Sequence, residues 1–428
     1  MLHKKSPWIV CFSLAVMLLN VGYSQQKEAG NKKALAYFAN AADYQNGGAF
    51  ELAAEEWEKL VKEFPNEAQT STAWHHLGIC SLQRKEPNYQ RAIEAFRESL
   101  KDSKLDLREE SLINLGWALF SQARKRPTGS TEQVKELEEA KSRLSEFLKE
   151  YPDGSYIDQA IFYLGDIEHL LGNRKKAIGY FKRFLDNEKL TKSNLRPDAL
   201  YALAVAHQDE GENAEASRRY LEFINKYNSH KLADEVRIRA AELALTNDKL
   251  SEAESLLKQV KTNSDSAMGD LALLRLGFVS GKQGKTKEAA SYYDKLLKQY
   301  SNSPHARSAA LALGQIQIQD GNFDQGIVSL KKVGSTVDNL SADAAHWIAV
   351  ALLKQNKNTE ASSHCADALK QFTDSTALKL DLADALYAQA ERRSEARKVY
   401  ESLASEKPDC PQAPRAAYNA AFAALENR

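Results

Sequence analysis

Cysteine is scarce. The 428 residues hold four, and one of these, Cys11, falls in an apolar run at the N-terminus. The other three, Cys80, Cys365 and Cys410, are odd in number and far apart, which excludes a disulfide framework as the source of stability. Twenty glycines and ten prolines are few for this length, so a turn-rich all-β chain or a low-complexity chain is excluded as well. Net charge is also absent: 58 Lys+Arg stand against 58 Asp+Glu, whereas a broad nucleic-acid surface needs a clustered basic excess. Beyond the N-terminus no apolar run approaches the roughly 20 residues of a membrane-spanning helix. Alanine, leucine, glutamate and lysine are abundant instead, and these favour helix.

The N-terminus reads differently from the rest. Lys4 and Lys5 precede an apolar run from Pro7 to Val21, and Gly22-Tyr23-Ser24 follows it. A basic start, a short apolar core and small residues at a cut are the parts of a secretory signal peptide, with cleavage expected after Ser24. The rival reading, an uncleaved anchor, asks for a longer apolar run than one that ends at Asn20. Residues 1–24 are therefore expected to be a signal peptide and 25–32 a linker. The mature chain is expected in the periplasm or secreted space, with association at the outer membrane included and no integral membrane segment after cleavage.

The remainder is periodic. Alanine or glycine recurs at Ala53, Ala92, Ala140, Ala177, Ala216, Ala253, Ala289, Gly326, Ala361 and Ala396, mostly 35–39 residues apart. Four residues after each stands a mostly large apolar residue, as in Trp57, Phe96, Leu144, Phe181, Tyr220 and Tyr293, and the third position beyond is mostly apolar again. Small, then apolar at +4 and +7, is one face of a helix. A second small row precedes it, including Gly78, Gly116, Gly165, Ala204, Gly277, Gly314 and Ala349, with Asp384 as its exception. Glycine inside a helix costs about 1 kcal/mol relative to alanine. Its recurrence predicts two antiparallel helices per unit, meeting small residue to small residue. Ser251-Glu252, Thr359-Glu360 and Ser394-Glu395 are expected to cap second helices. Residues 121–139, with Arg124-Lys125-Arg126-Pro127, are an insertion expected to form a surface loop.

Trp74, Leu77, Gly78, Ala92 and Phe96, together with Tyr44, Ala53, Trp57 and Pro65, make these rows resemble the tetratricopeptide repeat. The resemblance implies an all-α fold, an α-solenoid of about ten tandem helix-turn-helix units forming a right-handed superhelix. The array is expected over 33–408, with 409–428 a capping helix or partial repeat. Linkers such as Glu150-Tyr151-Pro152-Asp153-Gly154-Ser155 further resemble those of bacterial envelope members of this family, the Tol–Pal cell-division coordinator and outer-membrane assembly lipoprotein types.

Chemical motifs are weak by comparison. Gly281-Lys282-Gln283-Gly284-Lys285-Thr286 lacks the first glycine of a phosphate-binding loop and follows a helix, so no nucleotide cofactor is expected. His76 and Cys80 share a helix face, but two ligands do not make a zinc site, so no metal is expected. His169, His207 and His346 lie in first helices without a nucleophile pattern, and no catalytic residues are expected. The resemblance implies protein or peptide partners held along first helices. Projected onto this chain, the groove would present His75, Ile79 and Leu82, then Ile113, Trp117 and Phe120, then Phe162, Asp166 and His169, and finally Tyr201, Val205 and Gln208. The same residues also suit plain packing between neighbouring first helices. A non-enzymatic scaffold of the cell envelope or secreted space is the leading expectation. An envelope enzyme or hydrolase accessory is the alternative, because fold does not fix function.

Overall fold

The computed structural model describes residues 32–426, so the expected signal peptide and nearly all of the linker lie outside the described residues. Among the described residues there are 21 α-helices and no strand. The chain divides into two compact units, one ending at Asn228 and the other starting at Ser229.

The first unit holds five helix pairs: α1 (Lys32–Asn46) with α2 (Phe50–Glu63), α3 (Thr70–Gln83) with α4 (Tyr89–Ser99), α5 (Arg108–Ala123) with α6 (Thr131–Glu150), α7 (Ile157–Leu170) with α8 (Arg174–Asp186), and α9 (Arg196–Asp209) with α10 (Asn213–Lys226). The second holds five more and a last helix: α11 (Ala233–Thr246) with α12 (Leu250–Lys258), α13 (Gly269–Lys282) with α14 (Thr286–Gln299), α15 (Ala306–Gln319) with α16 (Phe323–Lys331), α17 (Asn339–Lys354) with α18 (Asn358–Leu369), α19 (Thr376–Tyr387) with α20 (Arg393–Glu406), and α21 (Ala413–Glu426). Within each unit consecutive helices pack on one another, and neighbouring first helices also touch, as α5 touches α7 and α17 touches α19. No helix among the described residues is long and apolar enough to cross a membrane.

The alanine row is fully buried at Ala53, Ala92, Ala140, Ala177 and Ala216, and so is most of the large row that follows it. The glycine row corrects an expectation. Nearest to these glycines stands the large residue four positions beyond the small one of the second helix, rather than the small residue itself. A Cβ added at Gly165 would stand 2.5 Å from the Phe181 ring, one at Gly277 2.4 Å from the Tyr293 ring, and one at Gly116 2.5 Å from Leu144. Each glycine is thus a hole for a ring or leucine of the second helix. Backbones approach directly where both rows are glycine: a Cβ on Gly314 would lie 3.1 Å from the Gly326 carbonyl oxygen.

That geometry gives a paired prediction. Gly→Ala in a helix ordinarily stabilises by about 1 kcal/mol. At Gly179, on α8 with nothing within 4 Å of an added Cβ, this gain is expected in full. At Gly165 the collision with Phe181 reverses the sign, because overpacking costs about 1–3 kcal/mol. Denaturation midpoints of the two variants should therefore move in opposite directions.

Three further details differ from expectation. Ser251, Thr359 and Ser394 sit inside the first turn, one position past the helix start. The N-cap residues are Lys249, Lys357 and Arg392, which make no side-chain cap. What survives is the early acid of each helix, which suits the positive end of the helix dipole. The insertion is mostly helix as well: α6 runs 20 residues, and only 124–130 form a loop, closed by Ser130, whose hydroxyl accepts from the Gln133 amide at 3.2 Å. Gln133 answers by accepting from the Gly129 amide at 2.7 Å, so the loop is pinned at its helix end. Turns between paired helices need one left-handed residue, which Gly172 supplies at φ 80° and Asn356 at φ 57°.

Candidate functional site

The projected groove residues of the first unit are mostly interior. His75, Ile79, Leu82, Ile113, Trp117, Phe120, Phe162, Tyr201 and Val205 are all buried. Each is large, and neighbouring helices close over it. Phe120 lies 5.6 Å from Tyr163, and Phe162 lies 6.0 Å from Phe181. Asp166, His169 and Gln208 are half-buried. Of these, His169 pairs with Asp209 at 2.9 Å, and Gln208 accepts from the Tyr220 hydroxyl at 2.7 Å. His75 stands 2.7 Å from the Ser111 hydroxyl, but both are buried and burial holds the imidazole well below its usual range, so the pair faces no substrate. For this face the packing reading describes nine of the twelve residues.

Other singled-out residues also have structural partners. His76 stacks on Trp57 at 5.2 Å, and both His76 and Cys80 turn to Gln45. His207 pairs with Glu212 at 2.5 Å. Lys285 of the Gly-Lys-Thr turn bonds Glu254 at 3.0 Å, within a cluster whose cations hold that carboxyl down at about 2. Among the described residues no group of three His, Cys, Asp or Glu is placed to hold a metal ion.

An open cleft of about 740 Å³ lies instead in the second unit, between the first helices α17 and α19 and the last helix α21. Its walls are Val350, Leu353, Leu380, Tyr387 and Phe422, with Lys354 among the lining side chains. Two carboxylates, Asp381 and Asp384, sit one helical turn apart on α19 and so share a face. His346 Nδ1 is 2.5 Å from Asp381 Oδ2. Its hydrogen bond to Asp381 raises the imidazole above 6.5 against the opposing effect of burial. Burial in turn raises the Asp381 carboxyl, with His346 opposing.

Asp384 is the exception in the small row, and its position explains the cleft. In other units a glycine or alanine stands there, and at Gly78, Gly165 and Gly277 it receives a ring. Here Tyr400, the large residue of α20, donates its hydroxyl to Asp384 Oδ1 at 2.5 Å. Arg415 donates to the other oxygen, and Asn419 approaches Oδ1 at 3.4 Å. Carboxylate and hydroxyl occupy the space that close helix packing would otherwise fill. The acid's acceptors are already met by these donors, which suits a recognition surface rather than a free general base. Residue projection missed His346, Lys354, Tyr387, Arg415 and Phe422. The break in the small row at Asp384 was the signal that could have found them. Phe278, also in a first helix, is exposed beside a smaller cleft of about 240 Å³, with Lys282 5.6 Å from its ring centre. Trp347 packs into the core instead.

Tetratricopeptide-repeat profiles match residues 110–154, 159–188, 271–303 and 352–426. Among solved structures, the chain is similar to a tetratricopeptide repeat protein from Parabacteroides merdae, at 15% identity over 65% of this chain and 98% of that one, with a TM-score of 0.39. It is also similar to the C-terminal part of a repeat-containing protein from Cytophaga hutchinsonii, at 11% identity over 71% and 98%, with a TM-score of 0.44. Yeast Tom70 matches at 12% identity over 93% and 96%, with a TM-score of 0.37. Comparison with curated proteins finds no match. Those matched residues carry tetratricopeptide repeats, and the ten helix pairs among the described residues make the fold all-α and consistent with an α-solenoid of such units.

Proposed function

We propose that this protein is a non-enzymatic scaffold that holds a partner polypeptide in the cleft between α17, α19 and α21. The observation that carries this reading is the cleft itself: apolar walls, with charged groups of both signs already fixed by internal partners. Apolar walls with a few placed polar groups suit a peptide side chain and its backbone. The basic, then apolar, then small pattern of residues 1–24 supports an exported, envelope address for that scaffold. N-terminal sequencing of the protein from its native host should begin at Gln25; an intact Met1 start would remove the cleaved signal peptide, and recovery of that chain in the cytosol would remove the export reading.

Cross-linking in native cells should trap a recurrent partner through this cleft. Lys354 and Phe422 are exposed, so their joint replacement by alanine should leave helix content unchanged. Loss of an interface anchor typically costs more than about 1 kcal/mol of binding. Capture should therefore drop at least several-fold in the double variant. Undiminished capture, with circular dichroism intact, would place the partner elsewhere.

A further inference from the structure

The insertion in the third pair creates a second cleft, independent of the first. The turn 84–88 and the loop 124–130 together carry Arg84, Lys85, Arg124, Lys125 and Arg126 against one acid, Glu86. Cations elsewhere on the surface commonly meet an acid three or four residues away, as in Lys59–Glu56, Lys101–Glu98 and Arg219–Glu222. Here Arg126 pairs with Glu136 at 2.8 Å. Among the described residues no ion pair joins the side chains of Arg84, Lys85 or Lys125. Lys125 lies over the Tyr89 ring instead, 4.5 Å from its centre. Like charges held this close repel one another, and an anionic ligand relieves that repulsion.

The two turns border an open cleft of about 680 Å³, walled by Pro87 and Tyr89 and edged by Asn88, Gln90 and Gln122, with Arg84, Lys125 and Arg126 outnumbering the one acid of its lining, Glu86. Pro87 and Tyr89 are half-buried while Lys85 and Lys125 are exposed, so the apolar surface is recessed behind the charge. Helix α4 also starts here, Asn88 capping it by accepting from the Arg91 amide at 3.0 Å, and its positive dipole end adds to the field. A bilayer surface asks for the reverse order, with apolar side chains reaching past the cations. A recessed ring, side-chain amides and unpaired cations fit an extended chain bearing carboxylates.

We propose that this cleft binds an acidic peptide segment of a partner protein. Arg84 and Lys125 take its carboxylates, Pro87 and Tyr89 take an interleaved apolar residue, and Gln122, held in place by donating to Gln90 at 3.2 Å and Glu136 at 2.7 Å, turns its remaining Oε1 to the peptide backbone. An arginine fork and a flexible ammonium together tolerate several carboxylate spacings.

The test uses the full chain and a fluorescent dodecapeptide of alternating Glu and apolar residues, with its Gln counterpart and phosphatidylglycerol vesicles as comparisons. Anisotropy should show the Glu peptide binding at least tenfold more tightly than the Gln peptide, with affinity falling as salt rises. Arg84→Gln with Lys125→Gln should weaken binding at least tenfold, whereas Lys182→Ala, on the exposed face of α8, should leave it unchanged. Lys125→Arg keeps the charge and should retain binding, which separates loss of charge from loss of fold. Equal binding of the Gln peptide, indifference to the double substitution, or preference for the vesicles over the peptide would each overturn the assignment.

Discussion

Trp57→Ala is expected to cost about 3–5 kcal/mol, the range for truncating a large buried ring. Trp57 is fully enclosed, packed edge-on to Phe38 at 4.8 Å and stacked on His76 at 5.2 Å. Its indole N–H donates to Gln45 Oε1 at 3.0 Å, joining the end of α1 to the middle of α2. Removing the ring leaves a cavity shared by α1, α2 and α3, and strips Gln45 of its main donor. In a repeat array, stability is close to a sum over neighbouring pairs, so the loss should be local. Hydrogen exchange should show protection falling first in α1 and α2, while α19 and α20 keep theirs. Trp57→Phe separates the two effects: it keeps most of the apolar contact and should cost roughly 1 kcal/mol for the missing hydrogen bond. An alanine variant within about half a kcal/mol of wild type would show that this row does not carry the core.

Trp57 was legible in the sequence because its row is a consequence of geometry. Two helices pack closely only where one offers small residues at a fixed spacing, so alanine must recur, and the residue four positions on must fill the space. The helix pairs follow from that rule alone. The partner of each residue does not. Whether Gly165 faces an alanine or the ring of Phe181 depends on how far the second helix slides along the first, and side-chain spacing leaves that slide undetermined. The same holds for Ser251 and Thr359: a capping residue and an N2 residue differ by two positions along the backbone, not by chemistry.

The site was less legible for a related reason. The side of a first helix that faces its neighbours can be projected, but whether it stays open depends on the bulk of residues one and two repeats away. In the first unit Trp117, Phe120 and Phe162 are large enough to close that space over themselves. In the second, Asp384 breaks the small row, and the Tyr400 hydroxyl and Arg415 gather around it where close packing would otherwise occur. An exception to a repeating row thus told more about the site than conformity did.

The histidines should give stability opposite pH dependences in the two units. In the second, the hydrogen bond that His346 donates to Asp381 raises the imidazole above its ordinary 6.5, with Asp343 adding to it. The folded state therefore holds this proton more tightly than the unfolded chain. The stabilisation is complete below pH 6.5 and is lost as pH rises through the folded value. Asp381, raised by burial, has the same sign, since its ionised form is the one that burial disfavours. His346→Gln removes the charged partner from a nearly buried carboxylate. It should cost about 2 kcal/mol at pH 5.5, below the roughly 3–5 kcal/mol of enclosed pairs, because the His346 side chain keeps 31% of its surface exposed. At pH 8.5 the cost should shrink to a fraction of that. In the first unit burial pushes His76 down to about 4, so stability there is complete above 6.5 and falls as pH drops towards that value. His76→Gln should therefore be better tolerated at pH 5 than at pH 8, the reverse of His346→Gln. Thermal melts of wild type and both variants across this range measure the two slopes, and histidine titration by NMR reads the folded values directly. Parallel slopes would mean that the buried His76 and the paired His346 do not differ as their surroundings require.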